Sequence, residues 1–133
     1  MKEELIAPCG MNCGICLAYL RKERRCPGCR GDDFNKSASR IKCVIRNCEA
    51  LKASESGFCF ECAKYPCRRL RQLDKRYRTK YAMSMIENLE SIKKIGLAAF
   101  VEKEKERWRC LKCGGTICVH RGYCYDCGER SNQ

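Results

Sequence analysis

Fifteen of the 133 residues are cysteine, and ten of these stand in five Cys-x-x-Cys pairs: Cys13/Cys16, Cys26/Cys29, Cys59/Cys62, Cys110/Cys113 and Cys124/Cys127. Two intervening residues let both sulfurs reach one tetrahedral ion, and two such pairs complete a four-thiolate zinc site. Cys13, Cys16, Cys26 and Cys29 form one such set, and Cys110, Cys113, Cys124 and Cys127 another. Between them a wider pair, Cys43 and Cys48, precedes Cys59, Cys62 and Cys67, so five thiols compete for one further site. Three zinc ions are expected, the middle one on Cys43, Cys48, Cys59 and Cys62. Cys9 and Cys67 are then left over, with little to separate Cys67 from Cys43.

Other thiol chemistries fit less well. Cys9-x3-Cys13-x2-Cys16 has the spacing of a radical S-adenosylmethionine cluster motif, but the barrel that such chemistry needs exceeds 133 residues. The same thiols remain eligible as ligands of an iron–sulfur cluster in the N-terminal lobe, which is the alternative to zinc there. Cys26-Pro-Gly-Cys29 looks like a thioredoxin-type redox pair. It enters the turn-rich Arg30-Gly-Asp-Asp-Phe-Asn35 rather than a helix, so a metal knuckle is preferred.

The elements that must carry these thiols are short. Asn12 reads as the N-cap of a helix that presents Cys13 and Cys16 from its first turn, with Leu17 and Leu20 on the same face. Residues 31–42 read as a polar connector. Pro66 suits the first helical position of a long amphipathic helix, in which Leu70, Leu73, Tyr77 and Tyr81 make an apolar stripe. Arg68, Arg69, Arg71, Lys75, Arg76, Arg78 and Lys80 cover the other side of that helix against one acid, Asp74. Ser84-x-x-Glu87 has the form of a capping box, Leu89, Ile92 and Ile95 continue the period, and Gly96 ends it. A third helix uses Leu97, Phe100, Val101 and Trp108, its Glu102–Arg107 run forming a solvated face. Thr116–Val119 reads as one strand of a hairpin turned at Arg121 and Gly122. There Cys118 is a packed thiol, and His120, the sole histidine, is an exposed hairpin residue or else a substitute for one thiol ligand.

These elements predict a small metal-dominated α+β fold of short helices and cysteine knuckles, with a helical middle and a C-terminal zinc-ribbon hairpin. The expected units are a cysteine-rich lobe (1–67), a helical segment packed on it (68–107) and the ribbon (108–133). The order Pro8-Cys9-Gly-x-x-Cys13-Gly-x-Cys16, Cys26-Pro-Gly-Cys29, Cys43-Val-Ile-Arg-Asn-Cys48, Cys59-x-x-Cys62 and Tyr65-Pro-Cys67-Arg-Arg-Leu resembles a family of small cysteine-rich bacterial and archaeal proteins filed as domain of unknown function 3795. The resemblance covers roughly residues 7–75. It implies a zinc-binding domain, often seen in anaerobes, and brings no activity with it.

Composition narrows the function classes. The opening Met1-Lys-Glu-Glu-Leu-Ile-Ala-Pro8 has no apolar signal core and no run approaches transmembrane length, so a cytoplasmic protein with reduced thiols and no membrane partner is expected. The formal charge is +12. A divalent ion on four thiolates carries net −2, and three such centres bring the total to about +6. Residues 68–109 hold 13 basic and 6 acidic side chains, so most of the excess lies in the helical middle. No phosphate loop, dinucleotide fingerprint, nucleophile triad, His-Glu-x-x-His helix or zinc-deaminase signature is present. A non-catalytic adaptor for a macromolecule, nucleic acid or protein, bound through basic helix 68–80 or through the ribbon is expected; the alternative is an iron–sulfur or thiol redox protein.

Overall fold

A computed structural model of the chain describes residues 1–130 except Phe34, Val44, Arg46 and Ala53, and gives the backbone alone for Ser39, Arg40 and Ala50. The longest elements are helices whose ends are set by identifiable residues. Helices α1 (Leu17–Leu20), α2 (Ala38–Ile41) and α3 (Glu49–Lys52) are single turns, and α4 (Arg68–Tyr81), α5 (Met85–Ile95) and α6 (Leu97–Arg107) follow one another. Short 3-10 turns occupy Glu3–Leu5, Cys13–Ile15 and Cys59–Glu61. The connector expected over 31–42 therefore contains α2, and its Phe34 lies outside the described residues.

Helix α4 starts two residues later than proline placement predicted. Cys67 is its N-cap, with extended backbone, and Pro66 lies outside the helix after a cis peptide bond from Tyr65. Ala82 closes α4 in the left-handed region (φ 53°), and two residues on Ser84 caps α5, its hydroxyl accepting the Glu87 N–H at 3.0 Å. Half of the expected capping box is thus built. The Ser84 hydroxyl proton goes to Asp74, at 2.6 Å.

Asp74 is where the amphipathic reading of α4 needs correcting. It is only 2% exposed, and its carboxylate accepts from Ser84 Oγ, from the Ile86 N–H (3.0 Å) and from Arg78 Nε (2.7 Å). Three donors offset the desolvation that a buried carboxylate would otherwise suffer, and together they lock α4 to the start of α5. Glu104 is a second correction to an expected solvated face. It is 3% exposed, its carboxylate accepts the Trp108 Nε1–H at 3.2 Å, and Arg107 stands 4.0 Å away. Burial raises its pKa above the ordinary 4.5, against smaller lowering effects of Arg107, Trp108 and Asn12.

The packing joins all parts of the chain. Leu70, Met83, Met85, Leu89, Ile92, Phe100, Val101 and Trp108 from the helical middle form one buried cluster with Ile6, Met11 and Ile15 upstream and Ile117, Val119 and Cys124 downstream. Each large aliphatic side chain buried there contributes about 1.5–3 kcal/mol. Gly10 marks the tightest approach between layers. At φ +92° a Cβ on it would lie 2.6 Å from the Met85 carbonyl oxygen, and its own carbonyl accepts from Asn88 Nδ2 at 2.9 Å. Only glycine permits that conformation and that contact together.

Strand structure is reduced to isolated antiparallel bridges among the described residues: Ile6 with Asn12, Arg109 with Thr116, Ile117 with Cys124, and Tyr123 with Arg130. The strand expected over Thr116–Val119 therefore shrinks to bridged single residues. Knuckle turns on both sides leave too little extended chain for a ladder. No described helix is long and apolar enough to cross a membrane.

Candidate metal centres

The C-terminal thiols are gathered before any of the others. The ligand sulfurs of Cys110, Cys113, Cys124 and Cys127 all lie within 4.8 Å of one another, with Cys110–Cys127 at 3.6 Å and Cys113–Cys124 at 3.5 Å. A tetrahedral ion bound at about 2.3 Å to each sulfur requires sulfurs about 3.8 Å apart, so this set fits such an ion. Backbone builds it. The Gly114 N–H bonds the Cys110 carbonyl (2.9 Å), the Gly128 N–H bonds the Cys124 carbonyl (2.9 Å), and both glycines take positive φ, +78° and +80°. Those turns swing the next amide towards sulfur, the Gly115 N–H reaching Cys113 Sγ at 3.4 Å.

Electrostatics follow from these amides and from the crowding of sulfurs. Backbone N–H donors, that of Cys113 foremost, lower the Cys110 thiol to about 7. The Gly115 N–H pulls Cys113 the same way, yet the neighbouring Cys127 and Cys124 thiols outweigh it and push Cys113 up to about 12. Four sulfurs crowded within 4.8 Å of one another are a strong attractor for a cation, which relieves the repulsion they would have as thiolates.

Segment 9–67 is arranged differently, with its thiols gathered in a looser chain. The Cys29 N–H donates to Cys13 Sγ at 3.4 Å, and Cys29 contributes most to raising the Cys13 pKa, ahead of burial. The expected first-turn presentation of Cys13 and Cys16 on one helix is broken. Asn12 does cap, accepting the Gly14 N–H at 2.9 Å, but the turn ends at Cys16, whose extended backbone (ψ 138°) starts α1 afresh. Cys26 is buried, its N–H on the Ala18 carbonyl. Cys9 packs against the core; burial pushes its thiol up to about 12, with Cys29, Cys59 and Cys43 adding to the effect. The Cys59 N–H donates to the Pro8 carbonyl at 3.0 Å, which holds the 59–62 turn beside Cys9. Cys59 is likewise pushed to about 12, by burial first and then by Cys67, Cys48, Cys62 and Cys43. Among the described residues no other set of three or more potential ligands is drawn together as the C-terminal four are, and none of the fifteen cysteines is in a disulfide.

His120 has a role that sequence reading missed. Its Nδ1 accepts the Leu17 N–H at 3.2 Å, so the ring proton sits on Nε2 and faces Tyr77 Oη at 2.9 Å. The ring also meets Tyr77 and Tyr81 edge-on, with centroids 5.7 and 4.9 Å away. Together with the Val119 N–H on the Ile15 carbonyl (2.9 Å), it ties the C-terminal unit to α1 and α4. Neither an exposed hairpin position nor replacement of a thiol ligand describes it, since both ring nitrogens are engaged. The signal available in the sequence was the pair of tyrosines at helical spacing on the stripe that a lone histidine could cover. Cys118 is fully buried, as expected of a packed thiol.

A family model described as "Protein of unknown function (DUF3795)" matches residues 5–72, just over half of the chain. The chain belongs to this family. Neither a curated protein nor a solved structure matches it. The DUF3795 segment contains all ten of the upstream cysteines, whereas the pre-gathered four lie outside it. Family membership thus supplies no activity, and the chemistry has to be argued from the thiols and the surface.

Proposed function

We propose that this DUF3795 protein is a metal-organised binding module. Its C-terminal four cysteines close a zinc ribbon, its upstream thiols hold further zinc, and the outer face of α4 receives the phosphate backbone of a nucleic acid. The carrying observation is the sidedness of α4. Arg68, Arg69, Arg71, Lys75, Arg76 and Lys80 are exposed and have no ion pair among the described residues, while the one acid of that helix is turned inward and occupied. An outer face of one sign attracts polyanions, and a face serving only solubility gains more from mixed signs.

The test is the salt dependence of DNA and RNA binding by the metal-loaded protein. Phosphate contacts make affinity fall steeply with salt and vary little with sequence. Arg71→Glu with Lys75→Glu spares Arg78, which is committed to Asp74, and should lower affinity and flatten the log–log salt slope by about 2 without changing metal content. Failure to retain either nucleic acid at low salt, or undiminished binding by the double variant, overturns this use of α4 in favour of a protein partner. Zinc without iron in protein purified under exclusion of oxygen supports the metal half of the reading; stoichiometric iron and sulfide would replace it with a cluster.

A further inference from the structure

Between the arm that carries α3 and the stretch leading into α4 lies an open cleft of about 1250 Å³. Its walls are mostly apolar, with Ile45, Leu51, Phe58, Tyr65 and Leu70, yet Cys48, Cys59, Cys62 and Cys67 also line it. We propose that these four thiols, and not Cys43, take one soft divalent cation across the cleft, as a second centre that exchanges its ion more readily than the C-terminal one. This inference rests on the reading that the cysteine pairs of the chain hold metal.

Three independent features select these four. The Cys59–Cys62 turn is built like the C-terminal knuckle: the Lys64 N–H reaches Cys62 Sγ at 3.4 Å, two residues on, as the Gly115 N–H reaches Cys113 Sγ at the same distance. The Cys26/Cys29 pair lacks this arrangement, because the Gly31 N–H is on the Gly28 carbonyl (3.0 Å). Cys67 is the N-cap of the 14-residue α4 and makes no side-chain cap bond, so its sulfur is not committed to the helix it starts. Cys48 lines the same cleft. Cys43 does not line the cleft, which agrees with its exclusion.

An all-sulfur donor set selects a soft d10 ion such as Zn²⁺ or Cd²⁺. Lys64, Arg68 and Arg69 on the same wall favour the anionic complex that four thiolates make with it. The cleft sulfurs are not drawn together as the C-terminal four are, so the ion has to gather them on binding. Gathering them subtracts from affinity and leaves a route for a competing chelator.

Alkylation mapping of the full-length reduced protein loaded with Zn²⁺ and then challenged with EDTA tests this. The expected result is that Cys48, Cys59, Cys62 and Cys67 become reactive together, on the order of tenfold faster than Cys110, Cys113, Cys124 and Cys127. Cys43→Ser should leave the ion count unchanged, and Cys48→Ser should lower it by one with the C-terminal four still protected. Loss of an ion in Cys43→Ser overturns the assignment. So does a loaded protein in which Cys48 or Cys67 is alkylated while Cys59 and Cys62 are shielded, a result that needs no variant to fold. If the C-terminal cysteines are no better protected with Zn²⁺ than without it, the broader metal reading fails instead, and the two failures are distinguishable.

Discussion

The C-terminal unit and the DUF3795 segment use the same two-cysteine device, yet one presents an assembled donor set and the other a dispersed one. The difference lies in the residues after the second cysteine. Gly114 and Gly128 take positive φ, which lets the following amide turn to sulfur after both C-terminal pairs, whereas upstream Leu17 and Arg30 follow Cys16 and Cys29 and only the Cys59–Cys62 pair, with the Lys64 N–H on Cys62 Sγ, is turned in this way. Spacing therefore says which thiols can share an ion. Two turned pairs that face each other already do, as the C-terminal four show.

The strongest way to break this contrast is to remove two C-terminal ligands. Cys113→Ser with Cys127→Ser should abolish one bound ion and, with it, binding free energy on the order of 10 kcal/mol, leaving the chain after Arg107 open to proteolysis. Metal analysis and limited digestion check this, and an unchanged count would mean that the gathered sulfurs are not a metal site. A smaller effect tests whether the assembled unit stands alone. His120→Ala removes the bonds to Leu17 and Tyr77 and the ring contacts, and should cost about 2–3 kcal/mol in urea unfolding while leaving the ion count intact. No loss of stability would show the C-terminal unit to be energetically independent of α1 and α4.

The smallest effect concerns the helix that leads into that unit. Because burial raises the Glu104 pKa above 4.5, the folded state holds this proton more tightly than the unfolded chain does. The charged form therefore weakens folding at pH values above the raised folded pKa, and the penalty fades as pH falls through that value towards 4.5. Glu104→Gln should accordingly gain stability at pH 7, within about 1 kcal/mol, with the advantage over the parent shrinking towards pH 5. Parallel denaturation of the two proteins at both values measures that difference, and an advantage that grows on acidification would contradict the assigned direction.

Much of the scaffold was legible because it depends on local periodicity. Leu70, Leu89, Ile92, Phe100 and Trp108 are buried where helical spacing put them, and Ser84 and Gly96 bound α5 as their cap chemistry indicates. The gathering of the four C-terminal thiols was legible for the same reason: its geometry is made by residues adjacent in sequence. Charged residues misled wherever tertiary partners decided their place. Asp74 lies at the edge of the apolar stripe and Glu104 sits four residues from both Phe100 and Trp108, so each had a helical-face signal that charge alone overrode. His120 was beyond local reading, since Leu17 and Tyr77, which fix it, are 103 and 43 residues away. Sorting the upstream thiols needed the third dimension as well, because it turns on which amide reaches which sulfur.

The meeting of Gly10 with Met85 and Asn88 separates two boundaries that are easily equated. The inherited signature stops at residue 72, but its Pro8-Cys9-Gly10 corner is completed by α5, beyond that limit. A fragment trimmed to the signature would keep every upstream cysteine and lose the wall against which their loop is moulded. Its solubility and metal uptake would then report on the truncation and not on the family, so any relative chosen for comparison has to retain whatever helix it stacks on this glycine.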